Sequence, residues 1–137
     1  MYIAFGRKVV DTEEVKNEIE NNSEFKVIKD MSKGTKREDT LAFNLSIDVG
    51  ILNGIIEDDY NIDELNEDEL FDEYMSLSEE LATDMEDILP DEAIMDIKAY
   101  KWDPSDNDIK LIIAATHEDT GEGKLKDVMR RLITQLE

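Results

Sequence analysis

The chain has 137 residues, 40 % of them apolar, and a formal net charge of −21. That length suits a single domain spanning residues 1–137, and the apolar share is enough for a core, which excludes global disorder. Cysteine is absent, so disulfides and thiolate metal sites are excluded and a reducing cytoplasm, the host's for a viral chain, is the expected compartment.

The longest apolar stretch without a charge, Val49–Ile56, is broken by Gly50, Asn53 and Gly54. It falls far short of the roughly 20 residues that span a bilayer. The opening Met-Tyr-Ile-Ala-Phe-Gly-Arg-Lys puts apolar residues before charges, the reverse of a secretion signal.

In chain order, Tyr2–Phe5 reads as a first strand. Asp11, with Glu14 three residues on, offers a capping-box start for a helix carrying Val15 and Ile19 on one face. Phe25 and Val27 open a second strand, and 32–37 is a polar, basic turn. Leu41, Phe43, Leu45, Ile47 and Val49 alternate strictly, which predicts a strand with one face buried. Gly50 and Gly54 mark a bend.

An acidic block follows. Leu70, Tyr74, Leu77, Leu81, Met85 and Ile88 recur at helical spacing, from an acidic start at Asp63-Glu64 to a stop at Pro90. At about 100° per residue, Asp72, Glu79 and Glu86 form one outward row, with Glu73, Glu80 and Asp87 beside it. Ile94–Trp102 and Ile109–Thr116 then read as a hairpin around a turn at 103–108. Leu125, Val128, Met129, Leu132, Ile133 and Leu136 give a last amphipathic helix. The expected class is α+β: a small antiparallel or mixed sheet of about five strands, in the order β-α-β-β-α-β-β-α, with helices packed on one face.

Charge is distributed unevenly. No Lys or Arg lies between Arg37 and Lys98, whereas residues 38–97 hold 21 of the 36 acids. The other 15 acids equal the 15 Lys and Arg, so the whole excess sits in one block. Halophilic adaptation would spread it over the surface. The abundance of Ile, Asn and Lys points instead to an AT-rich mesophilic genome or its viruses.

Sites for chemistry are scarce. Asp59, Asn61 and Asp63 occupy positions 1, 3 and 5 of a calcium loop, but position 6 is Glu64 where glycine belongs and position 12 is Leu70. The loop from Asp103 has Ala114 at position 12. His117 is the single histidine, set beside Glu118 and Asp119 in what reads as an exposed loop with a solvated imidazole. Thr120-Gly121-Glu122-Gly123-Lys124 lacks the spacing of a phosphate loop and carries an acid where phosphate would approach. Trp102 and Tyr100 suit either an interface or the core. No catalytic residue, metal or cofactor is therefore expected, and the chain is read as a non-enzyme.

The acidic helix remains. Ordinary surfaces mix signs, and a run of like charge on an ordered helix strains it. Asp72, Glu73, Glu79, Glu80, Glu86 and Asp87 are the expected partner-binding residues. Their expected target is a basic protein, a nucleic-acid-binding enzyme whose Lys/Arg groove they occupy as a DNA mimic, without direct contact to nucleic acid or membrane. In size, acidity and lack of cysteine the chain resembles phage-encoded inhibitors of restriction or CRISPR nucleases, a likeness of character that no motif carries. The alternatives are a phage tail or head assembly protein and an immunity or antitoxin protein neutralising a basic nuclease.

Overall fold

The structure, a computed structural model, describes residues 1–136. Its elements are β1 (Tyr2–Phe5), β2 (Lys8–Asp11), α1 (Thr12–Asn22), β3 (Lys26–Asp30), β4 (Thr40–Asp48), α2 (Val49–Ile56), α3 (Glu67–Ala82), β5 (Ala93–Asp103), β6 (Asp108–His117) and α4 (Glu122–Leu136). The class is α+β, as the residue pattern implies. β1 and β2 form a two-stranded antiparallel ribbon, and the main sheet runs β3-β4-β6-β5, antiparallel throughout.

The main sheet has a core on each side. Leu41, Phe43, Leu45 and Ile47 of β4, with Ile109, Leu111 and Ile113 of β6, pack against Val15 and Ile19 of α1, Leu52 and Ile56 of α2, and Tyr74 and Ala82 of α3. On the reverse face Ala42, Ile112 and Ala114 meet Leu125, Val128, Met129 and Leu132 of α4. The expectation that all helices share one face therefore fails for α4. β4 is buried over eight of its nine residues, because the positions alternating with its large apolar side chains are small or uncharged and lie under cover. Asn44, for example, accepts a hydrogen bond from the Tyr100 hydroxyl at 3.0 Å.

Two elements go beyond the expected order. Lys8–Asp11 forms β2 by returning along β1 through a tight turn at Gly6-Arg7. Gly6 has φ 61°, and a Cβ there would stand 2.7 Å from the His117 ring. α2 replaces the expected bend: Asp48 accepts the Gly50 N–H at 2.6 Å, and Val49, Leu52 and Ile56 bury one face. That burial, worth about 1.5–3 kcal/mol for each large apolar side chain, outweighs the roughly 1 kcal/mol that each glycine costs a helix.

α3 starts later than Asp63, which belongs to a separate 3₁₀ turn at Ile62–Glu64. Asn66 and Glu69 form the reciprocal cap: Asn66 Oδ1 accepts the Glu69 N–H at 2.8 Å, and Glu69 accepts the Asn66 N–H at 3.3 Å. Glu67, Asp68 and Glu69 fill the first turn, where free N–H groups favour negative charge. The α-helix ends at Ala82 and tightens into a 3₁₀ turn over Thr83–Asp87.

In β5 a bulge between Ala99 and Lys101 puts Tyr100 and Trp102 on opposite faces of the sheet. Without it, residues two apart would share a face. Both rings serve the cores. Trp102 meets Tyr74 of α3 edge-on, with ring centroids 5.0 Å apart.

Candidate functional site

α3 lies on the sheet through Tyr74, Ser78 and Ala82, all buried. The small side chains at 78 and 82 let the helix settle over β5, and this fixes where each acid points. Asp72, Glu80, Glu86 and Asp87 are exposed, Glu86 and Asp87 from the 3₁₀ turn that follows the α-helix. Glu73 is half-buried. Glu79 is not outward: it is half-buried, and its carboxylate accepts the Ala99 N–H of edge strand β5 at 3.0 Å. The expected row of Asp72, Glu79 and Glu86 is thus broken in the middle. Glu79 instead occupies a backbone donor that an edge strand would offer to another chain.

Among the described residues, ion pairs within 4.0 Å involve Asp11, Asp39, Glu92, Asp103, Asp106, Asp108, Asp119 and Asp127. None involves a carboxylate from Glu57 to Asp91. The Lys and Arg side chains are carried by other elements, so the acidic surface of α3 and of the segments on either side of it, from Glu57 to Asp91, has no ion pair within 4.0 Å among the described residues. Exposed Tyr60 and Phe71 lie within it.

The residues of the calcium-loop pattern act as a cap: Asn61 Oδ1 accepts the Asp63 N–H at 3.1 Å. Instead, the carboxylates of Asp103, Asp106 and Asp108 converge within 4.8 Å of one another at the β5–β6 turn. The Lys110 ammonium sits among them, 3.1 Å from Asp106 and 2.9 Å from Asp108. Burial works against the Lys110 charge, but these two carboxylates outweigh it and hold the pKa above its ordinary value. A cation is therefore already built into this cluster.

His117 is not the solvated side chain its neighbours suggest. It is only 12 % exposed, because the β1–β2 ribbon closes over it: Phe5 meets the ring edge-on and Gly6 abuts it. It lines a cleft of 730 Å³ with Arg7, Lys8, Asp39, Glu92 and Thr120 among others. Nε2 lies 2.7 Å from Glu92 Oε2, and Nδ1 accepts the Asp119 N–H at 3.1 Å. Both ring nitrogens are thus engaged within the protein, Nε2 with the Glu92 carboxylate and Nδ1 with the Asp119 N–H. Asp39, also in the cleft, is gripped by Arg37 at 2.8 and 2.9 Å and accepts from Thr40; the Arg37 bond, foremost, holds its carboxyl below the ordinary range.

The missed features share a cause. Glu79 is recognisable as a β5 partner only once Ser78 and Ala82 are known to face the sheet, and His117 as enclosed only once β2 exists. Comparison with protein-family models, with curated proteins and with solved structures finds no match to this chain.

Proposed function

We propose that this protein is a non-enzymatic binding protein, of the phage-encoded anti-restriction or anti-CRISPR type. In this reading, the exposed carboxylates of α3 and the turn after it enter the basic groove of a nucleic-acid-handling protein and block it. One observation carries the reading: among the described residues, no acid from Glu57 to Asp91 has an ionic partner. A surface whose charge is unmet within the chain gains most from a partner that supplies the opposite sign, and steering speeds the encounter.

Duplex DNA carries about one negative charge per 1.7 Å of axis. Residues seven apart on a helix repeat at about 10.5 Å, so Asp72, Glu73 and Glu80 alone are sparser than phosphates. Glu86, Asp87 and the acids before α3 extend the same charge beyond the helix.

Immobilised protein exposed to host lysate, read by mass spectrometry, is expected to retain a basic nucleic-acid-binding protein that duplex DNA displaces in competition. Retained proteins that are not basic, or that duplex DNA fails to displace, would remove the mimicry reading.

A further inference from the structure

A groove of 580 Å³ runs between α1 and the end of α3. That volume falls in the range of about 300–1,000 Å³ typical of ligand sites. Leu81, Met85 and Ile88 supply its apolar side chains, Met85 buried and the other two half-buried. Its charged groups are Glu18 of α1 and Asp84 and Asp87 of the 3₁₀ turn after α3, all three exposed. No lysine or arginine lines it among the described residues. The cleft at His117, by contrast, takes in Arg7 and Lys8. None of the three carboxylates has an ion pair among the described residues.

The backbone adds charge of the same sign. α1 ends at Asn22 and α3 at Ala82, so both helices reach the groove with their C-terminal ends, which carry partial negative charge. Neither has a basic residue in its last turn. Donors on the α1 side are turned back into the helix: Ser23 O–H donates to Ile19 C=O at 2.6 Å, and an Asn22 amide N–H donates to Glu18 C=O at 3.0 Å. A purely apolar ligand would leave the three carboxylates unmatched, and a bare metal cation would leave Leu81, Met85 and Ile88 uncovered. A long side chain with an apolar stem and a cationic tip answers both. Arginine suits the site better than lysine, because its planar guanidinium meets carboxylates through paired N–H groups and is more weakly hydrated.

We propose that this groove holds an arginine of the basic protein partner. The stem of that arginine lies over Leu81, Met85 and Ile88, and its guanidinium sits between Glu18 on one wall and Asp84 and Asp87 on the other. The inference rests on the reading of the chain as a binder of a basic protein, and it names the anchor of that contact. Asp87 belongs both to the groove and to the acidic face, so the two are continuous. A contact made by charge alone has no fixed register, whereas an arginine seated in an apolar cleft fixes one and concentrates binding energy at one point.

The probe is the capped peptide acetyl-Leu-Arg-Leu-amide, set against its counterpart with citrulline, the uncharged isostere of arginine. Methyl NMR of the full chain at about 0.15 M salt is expected to show saturable shifts at Leu81, Met85 and Ile88, with a dissociation constant of about 1 mM. The citrulline peptide should bind at least about tenfold more weakly, and so should the arginine peptide to Glu18→Gln with Asp84→Asn. Both substituted side chains are exposed and unpaired, so the fold is kept. Asp72→Asn with Glu80→Gln, outside the groove, should leave peptide binding unchanged. Shifts that miss Leu81, Met85 and Ile88, equal binding of the citrulline peptide, or indifference to the Glu18 and Asp84 changes would overturn the proposal. A lysate partner that duplex DNA displaces but that ignores those two changes would remove the arginine anchor alone. Peptide binding as expected with no such partner would remove the mimicry reading and leave the arginine site.

Discussion

Replacing Asp72 and Glu80 by lysine is expected to weaken partner binding by about a hundredfold or more while leaving the fold intact. Both side chains are exposed and carry no ion pair among the described residues, so their loss removes nothing internal. The new ammonium groups reduce like-charge repulsion on α3, so the melting temperature should hold or rise. At the interface they oppose a basic groove, and like-charge juxtaposition there costs several kcal/mol, which accounts for the hundredfold loss. Glu79→Lys is the contrasting control, because it strips the acceptor from Ala99 N–H and should cost about 1–3 kcal/mol of stability. Reversal of Lys33 and Lys36, exposed on the far side of β4 from α3, should change binding little. Surface plasmon resonance against the retained partner, with circular dichroism on each variant, separates these effects. Binding unaffected by the Asp72 and Glu80 reversal would mean that the acidic face is only solvated.

Phe43→Ala is expected to be the most destabilising single truncation in the sheet. Phe43 lies mid-way along β4, is fully buried, and sits between Asp30 of β3 and Ile113 of β6 in the register. Removing a buried phenylalanine costs about 3–5 kcal/mol, through lost burial and the cavity left behind. That is a large part of the 5–15 kcal/mol typical of a domain, and corresponds to a fall of about 10–20 °C in melting temperature at this size. Calorimetry measures it directly. A loss below about 1 kcal/mol would show that β4 is not the centre of the core.

The strand β4 and the helices α3 and α4 are legible in the sequence because their large apolar residues recur at the period of the element. What is buried behind small or neutral side chains is not. Ala42, Asn44 and Ser46 look like solvent positions beside Phe43 and Leu45, yet they lie under cover, so the second core beneath α4 leaves no mark in the alternation. Ser78 and Ala82 carry too little apolar surface to reveal that α3 turns them toward β5, and the orientation of Glu79 follows from that turn. α2 is hidden by Gly50 and Gly54, whose low helix propensity is overruled by the burial of Val49, Leu52 and Ile56. β2 is too short and too charged to show a period, and with it the enclosure of His117 is lost. The acidic face is visible because it depends on charge order along the chain, which folding leaves unchanged.

The measurement that bears most directly on an acidic face without internal counterions is the melting temperature of the wild-type chain as a function of salt. Between 0.1 and 1 M the Debye length shrinks from about 10 Å to about 3 Å. Repulsion among the carboxylates from Glu57 to Asp91 is then screened, and few attractive pairs are lost in exchange. The melting temperature should therefore rise steadily with salt. A melting temperature that stays flat or falls over that range would mean that these acids are already paired with lysines and arginines of the same chain, and the charge offered to a partner would not exist.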